Sequence, residues 1–106
     1  MTNPPADVRD GDAVTAEQIP EAVAGASLLY EDGATQTFEA DGTTTYVEHG
    51  GPTAGSWYVD ADGRFGSFWP PSYRASYDLT WVVEHGAVTG LRFDDGRSVS
   101  VGRYQR

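Results

Sequence analysis

From Ser27 onward the apolar residues fall in short runs of period two, and Asp-Gly or His-Gly pairs cut these runs at 32–33, 41–42, 49–50, 62–63, 85–86 and 95–96. Asp-Gly supplies the positive φ values that tight hairpin turns require, and turn signals spaced by about 8 to 12 residues mark an antiparallel meander. The runs predict strands over 27–31, 34–40, 43–49, 55–61, 64–69, 75–85, 87–94 and 97–104. Alternation is clearest where Tyr77, Leu79, Trp81 and Val83 share one face while Asp78, Thr80 and Glu84 take the other. The same reasoning turns Trp57, Val59, Phe65, Trp69, Leu91, Phe93, Val99 and Val101 inward.

The chain before Ser27 reads differently. Thr15 followed three residues later by Gln18 has the form of a capping box, opening a helix over 16–24 that Gly25 closes, with Pro20 expected to delay or kink it. Residues 1–14 carry Pro4-Pro5 and little apolar content and read as a solvated, disordered tail, leaving 15–106 as one domain. Seven or eight strands without crossover helices favour an all-β, antiparallel up-and-down barrel with one short N-terminal helix, because closure removes exposed edges. A two-sheet sandwich is the competing arrangement, but it usually needs longer connections than these hairpins provide.

Composition sharpens this picture. Leu, Ile, Val and Phe supply only nineteen of 106 residues, and with a net charge of −9 that share would suit a disordered chain. Thirteen aromatic residues offset the shortage, since each buries roughly 150–250 Å². The expected core is therefore small and aromatic. Sixteen acidic residues against seven arginines and no lysine argue against nucleic acid or anionic membrane as a partner. Cysteine is absent, so disulfides and thiolate chemistry are excluded. No apolar run approaches a membrane span and the first residues lack a signal-peptide pattern, so a cytoplasmic location is the expectation.

Candidate chemistry is sparse. His49 and His85 are the only histidines and lack metal-ligand spacing, while Asp60-Ala61-Asp62-Gly63 starts like a calcium loop but meets Pro71 where a bidentate Glu belongs. The reading calls for no metal and no cofactor. His49 beside Glu48 is a candidate acid or base, although adjacent strand residues face opposite ways. Phe68-Trp69-Pro70-Pro71-Ser72-Tyr73-Arg74 reads as a stiff connection that forms either a lid or rim over one barrel mouth or a plug in that end.

The stretch Tyr46-Val47-Glu48-His49-Gly50-Gly51-Pro52-Thr53-Ala54-Gly55-Ser56-Trp57 resembles the phenolic acid decarboxylases, in which a Tyr-Arg-Ile-His-Gly-like strand end is followed by Ala-Gly-Arg-Trp. Tyr30-Glu31-Asp32-Gly33 is similar to that family's first strand and turn, and Tyr77-Asp78-Leu79-Thr80-Trp81 to a later strand. The likeness spans about residues 25–86 and extends to MoaF-type domains. It implies a calycin- or lipocalin-like barrel, and a monomer or a homodimer. Departures fall at the chemistry: Val47 stands at the family's catalytic Arg, Val82-Val83 at its catalytic Glu, and of two ligand-binding Tyr only Tyr30 has a counterpart, Leu28 taking the other place.

Three functions remain open at this point. The first is a binding protein whose aromatic-lined pocket takes a planar aromatic or hydrophobic acid, with Tyr30, Tyr46, Trp57, Trp69, Tyr77, Trp81 and Arg92 as contacts, Arg92 on condition that its strand is inverted. The second uses the same pocket as a cofactor-independent lyase or isomerase. The third is an interaction module with a filled barrel. Because the positions of the family's Arg and Glu are valines, incubation with coumaric or ferulic acid is expected to release no decarboxylated product; formation that tracks the purified protein would contradict this.

Overall fold

The computed structural model describes residues 7–105. Eight antiparallel strands, β1 (Ser27–Tyr30), β2 (Thr35–Phe38), β3 (Thr43–Glu48), β4 (Gly51–Val59), β5 (Phe65–Trp69), β6 (Tyr73–Glu84), β7 (Ala87–Asp94) and β8 (Val99–Tyr104), pair in sequence order. The ring closes where β1 meets β8 through Leu28↔Tyr104, Leu29↔Arg103 and Tyr30↔Gly102. This is the expected all-β, up-and-down barrel rather than the sandwich. Hairpins alternate between two ends: those after β1, β3, β5 and β7 surround a mouth, and those after β2, β4 and β6 surround a base.

Helix α1 (Ile19–Val23) starts later than 16. The capping box nevertheless forms, with the Gln18 N–H donating to Thr15 Oγ1 at 3.3 Å and the Thr15 N–H to Gln18 Oε1 at 3.0 Å. Pro20 falls within the first two helical positions, where its missing N–H costs nothing. Ile19, Ala22 and Val23 are buried in one cluster with Leu28, Phe38, Trp57, Leu79, Trp81 and Leu91, so the helix stoppers the base. The Tyr104 hydroxyl fastens it by donating to the Ala22 carbonyl at 2.6 Å.

Residues 9–14 correct the expectation of a free tail across 1–14; residues 1–6 lie outside the described part. Strand β5 pairs only with Tyr73 to Tyr77 of β6, so the rest of that twelve-residue strand overhangs its neighbour. The N-terminal arm fills this edge. The Gly11 N–H donates to Trp81 O, the Trp81 N–H to Asp12 O and the Val14 N–H to Leu79 O, each at 2.9 Å, around an Ala13↔Thr80 bridge. Asp10 anchors the arm by accepting from the Val83 N–H at 3.0 Å and from both terminal nitrogens of Arg92 at 3.1 and 3.2 Å. Unpaired edge groups invite foreign strands, and the arm covers them.

Two inward assignments need adjustment. Val99 pairs with Asp94 and Val101 with Arg92, so both point outward while Ser100, Gly102 and Tyr104 turn inward. In this phase Gly102 faces Tyr30 across the β1–β8 seam, where a Cβ would lie 3.0 Å from the ring. In β6 the alternation through Trp81 holds, but the register shifts between Val82 and Val83, with Thr89 as the extra residue of β7, and Val82 is buried as well.

The Val83 N–H and then Arg92 hold the Asp10 carboxyl below its ordinary 3.8. A depressed folded value means the anchor is complete above pH 3.8 and is lost as pH falls through the lower folded value. Amide exchange of Gly11, Trp81, Val83 and Val14 is therefore expected to accelerate in that acid window before the barrel ladders open. Asp10→Ala is expected to give the same acceleration at neutral pH, and equal protection in the wild type and the variant would contradict the anchor.

Candidate functional site

The mouth half of the barrel is hollow. A cavity of about 450 Å³ opens there, walled by Tyr30 of β1, Tyr46 of β3, Trp69 of β5 and Tyr77 of β6, and floored by Phe65 and Phe93. Small barrels can hold one small ligand, and this volume is within the usual range for such sites. The rings meet one another obliquely or edge to face, with centroids 5.9 Å apart for Tyr30 and Phe93, 5.5 Å for Phe65 and Phe93, and 6.4 Å for Tyr46 and Trp69.

Two glycines make room for two of these rings. A Cβ on Gly55 would come within 2.5 Å of the Trp69 ring, and Gly102 gives similar clearance to Tyr30. Strand β4 therefore presents bare backbone to the indole, which lies against the wall instead of blocking the lumen.

Polar atoms in the cavity are already arranged. The Tyr30 hydroxyl donates to Gln36 Oε1 at 2.6 Å, Gln36 Nε2 donates to Thr44 Oγ1 at 2.9 Å, and the Thr44 hydroxyl donates to the Thr37 carbonyl at 2.7 Å. This chain satisfies a buried Gln and a buried Thr and fixes the direction of each proton. Ser67 Oγ accepts from Trp69 Nε1 at 3.2 Å, leaving its own proton for another acceptor. Burial pushes the Tyr30, Tyr46 and Tyr77 hydroxyls up, so all three stay protonated at neutral pH. Neighbouring carboxylates add to each shift: Asp32 acts on Tyr30, Asp32 and Glu48 on Tyr46, and Asp95 on Tyr77.

Of the seven residues expected to form a site, Tyr30, Tyr46, Trp69 and Tyr77 come together around the cavity. Trp57 and Trp81 point inward but belong to the filled base: Trp57 Nε1 donates to the Glu39 carbonyl at 2.9 Å, and Trp81 is fully buried with its Nε1 unpartnered. Arg92 is corrected outright. Its strand is not inverted, and its guanidinium is on the outer surface against Asp10 and the Trp81 carbonyl. The connection after β5 borders the mouth as a rim and is neither plug nor lid: Trp69 lines the cavity wall, Tyr73 is 63% exposed, and Arg74 stacks outside over Phe68 at 4.6 Å.

The reading from sequence missed Gln36, Thr44, Ser67, Glu31, Asp32 and the aromatic floor. Gln36 carried a signal, since it shares the phase of Phe38 and is therefore an inward polar residue. Among the described residues no three His, Asp or Glu side chains converge as a metal would require. No described helix is long and apolar enough to cross a membrane. Comparison with protein-family models, with curated proteins and with solved structures returned no match in any of the three.

Trp81→Ala is expected to cost about 3–5 kcal/mol, a large part of a small domain's stability. Trp69→Ala, at a wall that already borders a cavity, is expected to cost clearly less. Urea melts of the two variants compare them directly, and equal losses would mean that the mouth is packed as tightly as the base.

Proposed function

We propose that the protein is a small-molecule binding protein whose barrel mouth holds a compact, planar aromatic ligand. The observation that carries this reading is the 450 Å³ cavity walled by Tyr30, Tyr46, Trp69 and Tyr77 above a Phe65 and Phe93 floor. A chain short of apolar residues gains about 25 cal/mol for each Å² of apolar surface buried, so leaving six rings around a void forgoes stabilisation that a filled interior would bring. A ligand stacked against them restores it. Ser67 offers a free proton and the Tyr30–Gln36–Thr44 chain a fixed polar wall, which together can orient one polar group on an otherwise apolar guest.

The likeness to phenolic acid decarboxylases is read here as kinship of architecture, a calycin-like barrel, without the chemistry. Val47, at the position of that family's Arg, is 40% exposed on the outer face. Glu84 is bound outside the cavity by Arg103 at 2.9 Å and by Thr89. Neither Glu48 nor His49, the candidate bases for a lyase or isomerase, is among the cavity-lining residues. The lining tyrosines stay protonated, and of the two lining carboxylates Glu31 is paired with Arg103 and Asp32 is exposed in the turn after β1. The acid half of the expected ligand also loses its support, because the arginine meant to meet it is outside.

Titration with 2-naphthol, followed by amide chemical shifts, tests the reading. Shifts are expected at Tyr46, Ser67, Trp69 and Ser100 and not at Trp81, and Tyr77→Ala is expected to weaken the binding about tenfold or more. Absence of saturable shifts at the mouth, or shifts that spread evenly over the surface, would overturn it.

A further inference from the structure

Resting on the reading of the mouth cavity as a site for a planar aromatic ligand, we propose that its ligand class is a small organic cation, an aromatic ammonium, rather than an acid or a neutral hydrophobe. Aromatic faces attract cations through the ring quadrupole, and an ammonium group is held best where several rings surround it and water is excluded. Six rings surround this cavity, three of them tyrosines.

Charge placement points the same way. Among the described residues no Arg or His lines the cavity, whereas Glu31 and Asp32 do; the Glu31 carboxylate is paired with Arg103 outside, which leaves that of Asp32 without a cation. The arginines whose contacts are described face outward: Arg64 pairs with Asp78 at 3.0 Å, Arg92 with Asp10 at 3.1 Å, and Arg103 with Glu84 at 2.9 Å and Glu31 at 3.3 Å, while Arg74 stacks over Phe68. Asp32 takes only the Ala34 N–H, at 2.9 Å, and has no cationic partner among the described residues. The tyrosine hydroxyls sense carboxylates from three sides of the opening, Asp32, Glu48 and Asp95, of which Asp95 has Arg97 beside it in the same hairpin. An anion entering here would give up water for a negative field and hydroxyl donors alone, which burial of charge makes unfavourable. A cation would exchange part of its water for the aromatic rings, with the exposed Asp32 carboxylate attracting it most strongly at low ionic strength.

Three probes of similar shape separate the possibilities: (4-hydroxyphenyl)trimethylammonium, 4-tert-butylphenol and 4-hydroxybenzoate, each titrated against the full chain at low ionic strength with amide shifts as the readout. The cation is expected to bind about tenfold tighter than the neutral isostere, with benzoate weakest, and Asp32→Asn, which keeps the acceptor for Ala34, is expected to narrow that ratio about threefold. A neutral probe that binds as tightly as the cation, or benzoate binding tightest, would overturn the charge preference while leaving the cavity a ligand site. Binding by none of the three would remove both readings. A ratio insensitive to Asp32→Asn would overturn the part assigned to that carboxylate.

Discussion

The hydrogen-bonded seam between β1 and β8 is the contact on which the interior depends. A sheet of eight strands left open would expose two edges and put half its inward side chains against water; closing it at Leu28↔Tyr104 and Tyr30↔Gly102 turns those side chains toward one another in a confined volume. Gly102 suits the seam: a Cβ there would lie 3.0 Å from the Tyr30 ring, so the ring would have to give by a few tenths of an ångström. The strand pair that closes the barrel therefore also borders one wall of the cavity.

Inside the closed ring the two halves are filled differently, and the helix explains the difference. At the base, α1 contributes Ile19, Ala22 and Val23 to a cluster built around Trp81, Phe38 and Leu91, and the space is used up. Among the described residues no equivalent element covers the mouth, where four hairpins meet instead. Large flat side chains cannot fill a tapering end by themselves once Gly55 and Gly102 allow two of them to lie against the wall. The void thus follows from where the helix is, and the aromatic composition that replaces leucine and isoleucine determines what lines it.

Sequence pattern was sufficient for the strands because their signals are local: an Asp-Gly turn and period-two alternation each act over a few residues. It was insufficient wherever the deciding contact is distant. The arm shows this well. The unequal lengths of β5 and β6 could be read from the chain, but that Asp10 would reach Val83 and Arg92 across more than seventy positions could not. The phase of β8 failed for a related reason, since Val99 and Val101 look like core residues until Tyr30 claims the space over Gly102. Of the four candidates that reach the cavity, Trp69 and Tyr77 came from choosing large aromatics at inward phase, and Tyr30 and Tyr46 from the motifs of the family likeness. Trp57 and Trp81 have the same phase and were misplaced only along the barrel axis, a coordinate that alternation does not carry.

Arg92 joins these threads. A chain with seven arginines and a net charge of −9 has few cations to distribute, and each one fixed to a surface carboxylate is one fewer to neutralise the interior. Anchoring the arm takes Arg92, and the Glu84 carboxyl, held down to about 2 by its hydrogen bonds from Arg103 and Thr89, takes another. Pairs this exposed contribute little stability individually. Their larger effect is on the field, because among the described residues they leave the cavity lining with no Arg or His and with Asp32 unpaired, Glu31 being held by Arg103. The electrostatic character of the cavity is in this sense set on the outer surface, by where the arginines are held.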